Sequence, residues 1–405
     1  MKNVALVIVL SLLFVQCSDK KNSSQWRGPD RNGIYPEEEL LKEWPKGGPK
    51  LLWRIDSIGQ GFSSAAVTTK MIFAAGMIDS TGYIFAINHD GSLKWKKPYG
   101  PEWNKSFPGT RSTPTIYKSK GYIMSCFGVL YCFSTKDGEI LWSRNLLNRS
   151  VDKDNLFGIT ENLIVDGNIV FCTPGGQIDN VYALNSNTGD VIWKSKARGE
   201  KNAYCSPILI ERGGKKFYIV NSAKSTISLN AENGELAWSY ELFNKQNVHA
   251  NTPIYFEGKI FVMDGFESGS SMLQLSNDGM SVSELWKNPV LDETNGHSVR
   301  VGENLYISAE SKGELCCVDW NTGTVKYSIK KYSPGTVIYA DGMLYCYSYE
   351  GDFGLLEPTG KEFIEKGYFK LPKSKVLHIS HPVINNGRLY IRFDKSLYVY
   401  SISNG

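Results

Sequence analysis

Apolar and polar residues alternate along most of this chain in short runs, which is the period of a strand with one buried face and not that of a helix. The stretches YIFAINHDGSLKW, LYCFSTKDGEILW, VYALNSNTGDVIW, TISLNAENGELAW, LCCVDWNTGTVKY and FGLLEPTGKEFI each read as a strand, a glycine-containing turn and a second strand. In each, a large apolar residue stands four positions after the turn glycine. Trp95, Trp142, Trp193, Trp238, Tyr327 and Ile364 follow Gly91, Gly138, Gly189, Gly234, Gly323 and Gly360. LQLSNDGMSVSELW is the same unit with a three-residue insertion, ending at Trp286. Another strand pair precedes each hairpin, as in TPTIYKSKGYIMSCF and TPIYFEGKIFVMD. One unit is therefore four strands in about 40 residues, the period of a propeller blade.

A single four-stranded sheet has two apolar faces and cannot bury both alone. Stacking copies around an axis solves this, with the large residue of each fourth strand wedged between its own blade and the next. Third strands begin near Tyr83, Leu130, Val181, Thr226, Met272, Leu315, Phe353 and Leu397, so eight blades are expected. The last third strand, LYVYSISNG, runs into Asn-Gly with no fourth strand after it. PKLLWRIDS, residues 49–57, carries a strand and Trp53 but has no partner strands before it. It is expected to complete the last blade, leaving no sheet edge unpaired. The fold expected is all-β, an eight-bladed β-propeller in one domain over 41–405, with the last blade closed by an N-terminal strand and Trp53 joining the docking series.

Composition adds a location. MKNVALVIVLSLLFVQC has one Lys, a short apolar run and a Cys, too short to span a bilayer and shaped like a signal peptide over 1–17. It resembles a bacterial lipoprotein signal, which makes Cys17 the expected lipidation site and the cell envelope, outer membrane included, the expected location; Gln16 departs from the usual small residue. Residues 18–40 are expected to be a polar tether and leader. With 45 Lys+Arg against 41 Asp+Glu and both signs interspersed, no nucleic-acid partner is expected. The seven cysteines after Cys17 are odd in number and mostly lie in apolar strand positions, so packed thiols are expected.

In a propeller the first strands line the channel, and their starts are where all blades converge. Aligning FSSA, RSTP, FGIT, YCSP, ANTP, NGHS, SPGT and ISHP places Arg111, Tyr204, Asn251, His297 and His381 at or near the channel mouth, with His249 and His378 just before two of the starts. These are the candidate ligand-binding residues. No carboxylate joins the histidines at fixed spacing, so no metal site is expected. No nucleophile elbow is present, and no catalytic residue is assigned. Asp-x-Asp in SVDKDNLFG lacks the glycine and distal Glu of a Ca²⁺ loop. PYGPEWNKSFPG, 98–109, holds Trp103 and Phe107 in a long link that reads as either a sugar or partner contact, or a packed lid.

The repeat VYALNSNTGDVIW and the leader QWRGPDRNGIYPEEELLKEWPKGGPKLLW resemble those of propellers similar to the pyrroloquinoline-quinone-binding proteins. That superfamily includes quinoprotein dehydrogenases and non-enzymatic members such as the lipoprotein of the machinery that assembles outer-membrane β-barrels. The dehydrogenase branch implies a quinone in the funnel, a Ca²⁺ and an Asp base, and in some members an adjacent-cysteine disulfide like Cys316-Cys317. Here those two cysteines share a strand and alternate to opposite faces, occupying ordinary repeat positions. The reading is a non-catalytic, monomeric scaffold that binds an envelope protein or a small periplasmic ligand, with no cofactor expected. Its rivals are a quinone- and Ca²⁺-dependent dehydrogenase and a glycan-binding surface lipoprotein.

Overall fold

The computed structural model describes residues 24–147, 157–296 and 298–404. Cys17, His297 and the Asp-x-Asp pair lie outside them. Blades occupy 66–101, 115–145, 164–195, 208–241, 254–288, 299–329 and 335–370, and the eighth joins 383–401 to Lys50–Ile55. Closure runs as expected: Lys50–Ile55 lies antiparallel to Ser396–Ser401, with Trp53 opposite Val399 and Arg54 opposite Tyr398. Among the described residues no helix is long and apolar enough to cross a membrane.

The middle strands are buried on both faces because each blade is covered by a neighbour. Val181–Asn185 is buried at four successive positions, whereas Val191–Ser195 at the rim buries Trp193 and exposes Val191 and Ile192. A β-bulge interrupts the pairing of third and fourth strands in all eight blades. In seven of them the extra residue directly precedes the docking position, as Leu141 precedes Trp142 and Ile192 precedes Trp193. A bulge adds local twist and re-aims the next side chain. Here it turns the docking residue into the seam between blades.

The indole then lies over the turn glycine of the following blade. A Cβ on Gly189 would sit 2.6 Å from Trp142, and one on Gly234 2.5 Å from Trp193; both glycines have positive φ. Trp53, Trp95 and Trp286 lie in the same way on Gly91, Gly138 and Gly323. Several indoles also donate across the seam, Trp142 to Ser186 O at 3.2 Å, Trp193 to Ala231 O at 3.0 Å and Trp53 to His89 O at 3.0 Å. Trp238 is buried against Phe217, Ile260 and Leu273, and half-buried Tyr327 packs edge-on against Phe363.

Blade 7 differs from the expectation. Ile364 lies before the bulge and is exposed, and the docking position after the bulge is Gly367. The space is filled by Trp44 from the N-terminal segment, whose Cβ lies 2.5 Å from where a Gly367 side chain would begin. Trp44 sits among Tyr345, Phe353 and Phe369. The seven described cysteines are free and buried. Cys316 packs in the seam with Phe261 and Met272, Cys317 in the opposite seam with Val337 and Phe363, as the alternation of a strand requires.

Candidate functional site

The side chains at the starts of the innermost strands form a belt that runs from blade to blade. Ser64 Oγ donates to His381 O (2.8 Å), and Ser64 N–H to Thr113 Oγ1 (2.9 Å). Thr113 N–H donates to Asn162 Oδ1 (2.6 Å), and Asn162 Nδ2 to Ser206 Oγ (2.9 Å). Thr252 Oγ1 donates to Ser206 O (2.9 Å), and Asn251 Nδ2 to Glu293 O. These short polar residues satisfy the irregular backbone that precedes each strand, where ladder bonds have not yet begun.

The expected ligand-binding residues are distributed within this belt and its surroundings. Asn251 points into the next blade, and its carbonyl also accepts from Asn221 Nδ2 (2.9 Å). His249 is fully buried, contacts Asp264 through Nδ1 and lies 3.1 Å from Ala223 O through Nε2. Tyr204 packs edge-on against Phe157, and its carbonyl accepts from Thr160 Oγ1 at 2.6 Å. Arg111 folds back on its own link, donating to Gly109 O (2.8 Å) and Phe107 O (2.7 Å), and burial pushes its guanidinium down to about 10. Beneath it Trp103 is only 3% exposed and donates to Ser106 O, so this ring offers no face to a sugar. His378 stacks on Phe393 with centroids 3.6 Å apart, and burial lowers its pKa to about 4. Arg111 and Tyr204 thus share the cluster of Phe107 and Phe157, while His249 is held by Asp264 and Asn251 by the carbonyl of Glu293. The hollow bordered by Thr160, Glu161 and Tyr204 leaves no room for a water molecule.

The axis itself is filled by residues 26–35, part of the stretch expected to be a leader. Ser24 bridges to Ile116, and Ile34–Tyr35 pairs in parallel with Tyr339 and Ala340 at the far end of the innermost strand of blade 7. Between them a tight loop reaches up the channel, closed by Gly33 N–H to Arg27 O (3.0 Å). At its tip Arg31 donates to Asn162 O (2.7 Å), Leu163 O (3.0 Å) and Pro207 O (2.9 Å), joining blades 3 and 4. Arg27 donates to Ser298 O (2.6 Å) and lies 3.3 Å from His381 Nδ1, joining blades 6 and 8. Trp26 meets His381 edge-on at 5.0 Å and carries both guanidiniums within 6 Å of its ring. Gly33 is required here because a Cβ would stand 2.5 Å from Arg27 Nη2. Burial pushes both arginines down to about 10.

Carboxylates around the mouth are likewise engaged. Glu102 accepts from Cys126 N–H, Glu200 from Lys224 N–H and Asp292 from Ser311 N–H, each tying the end of one blade to a loop of the next. Glu161 accepts from Thr173 N–H (2.6 Å) and Tyr218 OH (3.0 Å), and burial raises it to about 7. Glu293 accepts from Tyr349 OH (2.6 Å) and Gly296 N–H (3.0 Å), and burial raises it to about 8. Among the described residues no three His, Cys, Asp or Glu side chains are grouped to hold a metal. The quinone and Ca²⁺ that the resemblance implies need converging acidic oxygens and an open funnel. In this arrangement the acidic oxygens are spread over several seams, and carbonyl-bound guanidiniums stand on the axis. The residues present do not fit that pair.

Comparison with known proteins gives two directions. The chain is 25% identical over 254 residues to the tetrathionate hydrolase of Acidithiobacillus ferrooxidans, covering 58% of this chain and 46% of that protein. It thus spans about half the length of that curated relative. Among solved structures, BamB from Moraxella catarrhalis matches with a TM-score of 0.62 at 13% identity, covering 88% of this chain and 98% of that one. A quinohemoprotein alcohol dehydrogenase from Comamonas testosteroni matches with 0.70 at 11% identity, covering 97% and 82%. At these identities the structures speak for the fold alone. The family model described as outer membrane protein assembly factor BamB matches residues 50–329, more than half of the chain, and the protein belongs to that PQQ-propeller family.

Proposed function

We propose that this protein is an exported propeller that works as a binding scaffold in the cell envelope and catalyses no reaction of its own. One observation carries this reading: the side chains at the channel mouth and along the axis are spent on bonds between blades and on the protein's own N-terminal segment. Open to a partner without any rearrangement is the loop-bearing face, where Phe243 and Ile178 are 81% and 69% exposed. Apolar tips on such loops are the usual material of protein recognition. An anchor at Cys17 would keep the ring at the membrane; Cys17→Ser is expected to move it from the detergent-extracted to the soluble fraction.

A second reading, a quinone-dependent dehydrogenase, is favoured by one observation. The repeat VYALNSNTGDVIW resembles that of quinone-binding propellers, and the chain belongs to the PQQ-propeller family. The test is to titrate purified protein with pyrroloquinoline quinone and Ca²⁺ and follow absorbance and alcohol-dependent dye reduction. The scaffold reading expects neither a bound chromophore nor turnover. A stoichiometric chromophore with turnover overturns it.

A further inference from the structure

We propose that the segment Trp26–Tyr35 is a displaceable plug, and that the carbonyl-lined axial site it fills is a receptor for an arginine-bearing segment of a partner protein. The inference rests on reading the ring as a scaffold and names the site and chemistry of one partner.

The site is built for a guanidinium. Around Arg31 stand three main-chain carbonyls from two blades, Asn162, Leu163 and Pro207, at 2.7 to 3.0 Å. Around Arg27 the ring contributes Ser298 O at 2.6 Å and His381 Nδ1 at 3.3 Å, while Asn32 O belongs to the plug itself. Carbonyls only accept, so this lining selects a cation rich in N–H groups and repels carboxylates. A planar fork with five donors reaches acceptors on two blades at once, which the compact ammonium of lysine does not.

Three features mark the resident segment as poised and not as a permanent strut. Arg27 and Arg31 both hold positive φ, 62° and 57°, a region disfavoured for bulky side chains. Both cations are buried, and among the described residues neither forms an ion pair with a carboxylate; their desolvation is offset by ring carbonyls and the face of Trp26, with Glu161 acting on Arg31 from farther off. The segment pairs with strands at its two ends, where Ser24 bridges to Ile116 and Gly33, Ile34 and Tyr35 meet Tyr339 and Ala340, and the loop between them adds no ladder bond. The chain that follows is firmly docked, by Glu37 to the backbone of Asn386 and Gly387 and by Leu41 N–H to Ile402 O. A displaced plug therefore stays tethered at high effective concentration and reseats when the partner leaves. Its own affinity sets the threshold a partner's arginines must exceed.

The test uses the full chain and a labelled peptide copying residues 24–35, SQWRGPDRNGIY, beside the same peptide with both arginines replaced by lysine. Hydrogen exchange should find the amides of 27–34 opening at least tenfold faster than those of Ile169–Cys172, and faster again with peptide present. Arg31→Lys, which weakens the resident plug, should bind the arginine peptide about tenfold more tightly than the unmodified protein does. The lysine peptide should bind at least tenfold less tightly to both. The proposal falls if 27–34 exchanges only through global unfolding, if folded Arg31→Lys protein takes up no peptide, or if the two peptides bind equally. Quinone binding with turnover would sink the scaffold reading while leaving the peptide result standing, so the two failures are separable.

Discussion

Blade is locked to blade in two places by unlike means. At the rim the lock is apolar and repeated, a bulge followed by a large ring laid over the next turn glycine, as Trp193 lies over Gly234. At the axis it is polar and used once, a pair of arginines spread over the carbonyls of blades 3, 4 and 6. A repeated apolar lock gains from area and tolerates drift, since any ring of the right volume fills the seam. A single polar lock depends on direction and leaves buried acceptors bare when it is lost.

The contrast can be broken by substitution. Trp193→Ala removes a buried indole and its bond to Ala231, and is expected to cost about 3–5 kcal/mol in urea unfolding. Arg31→Ala leaves three carbonyls without their donor and is expected to cost about 2–3 kcal/mol. If the axial change costs more than the rim change, the axis and not the rim carries the ring.

Protonation sharpens the comparison, because among the described residues the buried acids Glu161 and Glu293 stand on the channel side. Glu161 rises from 4.5 to about 7 on folding, so the folded state holds its proton longer than the unfolded chain does. Its contribution is complete below pH 4.5 and is lost as pH rises through 7, which makes the unmodified protein weaken between about pH 5 and 8. Glu161→Gln should flatten that decline by about 3 kcal/mol, read as the difference between the two proteins' urea unfolding free energies across the range. Glu293 has the same sign and leaves a residual slope in that variant. The smallest effect belongs to the belt: Thr252→Val deletes one hydroxyl bond to Ser206 O and should cost about 1 kcal/mol without changing the pH profile.

The same contrast explains what could be read from residues alone. The rim device recurs at a fixed offset from a turn glycine, so Trp95, Trp142 and Trp193 point to one another in the sequence, and ring closure follows from counting strands. Blade 7 escaped because its docking position is Gly367, filled by Trp44 from a segment more than 300 residues away in the chain. The plug occurs once, and WRGPDRNG has no second copy to compare it with. Its two arginines, each directly before a turn-forming pair, Gly28-Pro29 and Asn32-Gly33, are the available signal. The belt is only partly legible: Asn251 stands among the expected channel-mouth residues, but its bond to Glu293 O of the neighbouring blade depends on a partner carbonyl that leaves no trace in a string of letters.

Trp53 opposite Val399 carries a kinetic consequence. The two strands that seal the ring stand more than 340 residues apart in the chain, so the last sheet cannot form before all the blades between them have been made. Until then Ser396–Ser401 has one bare edge and Lys50–Ile55 has no neighbour. Two molecules caught at that stage can each donate the missing strand to the other, which makes crossed dimers, and not unfolded monomers, the characteristic misfolded product of this architecture.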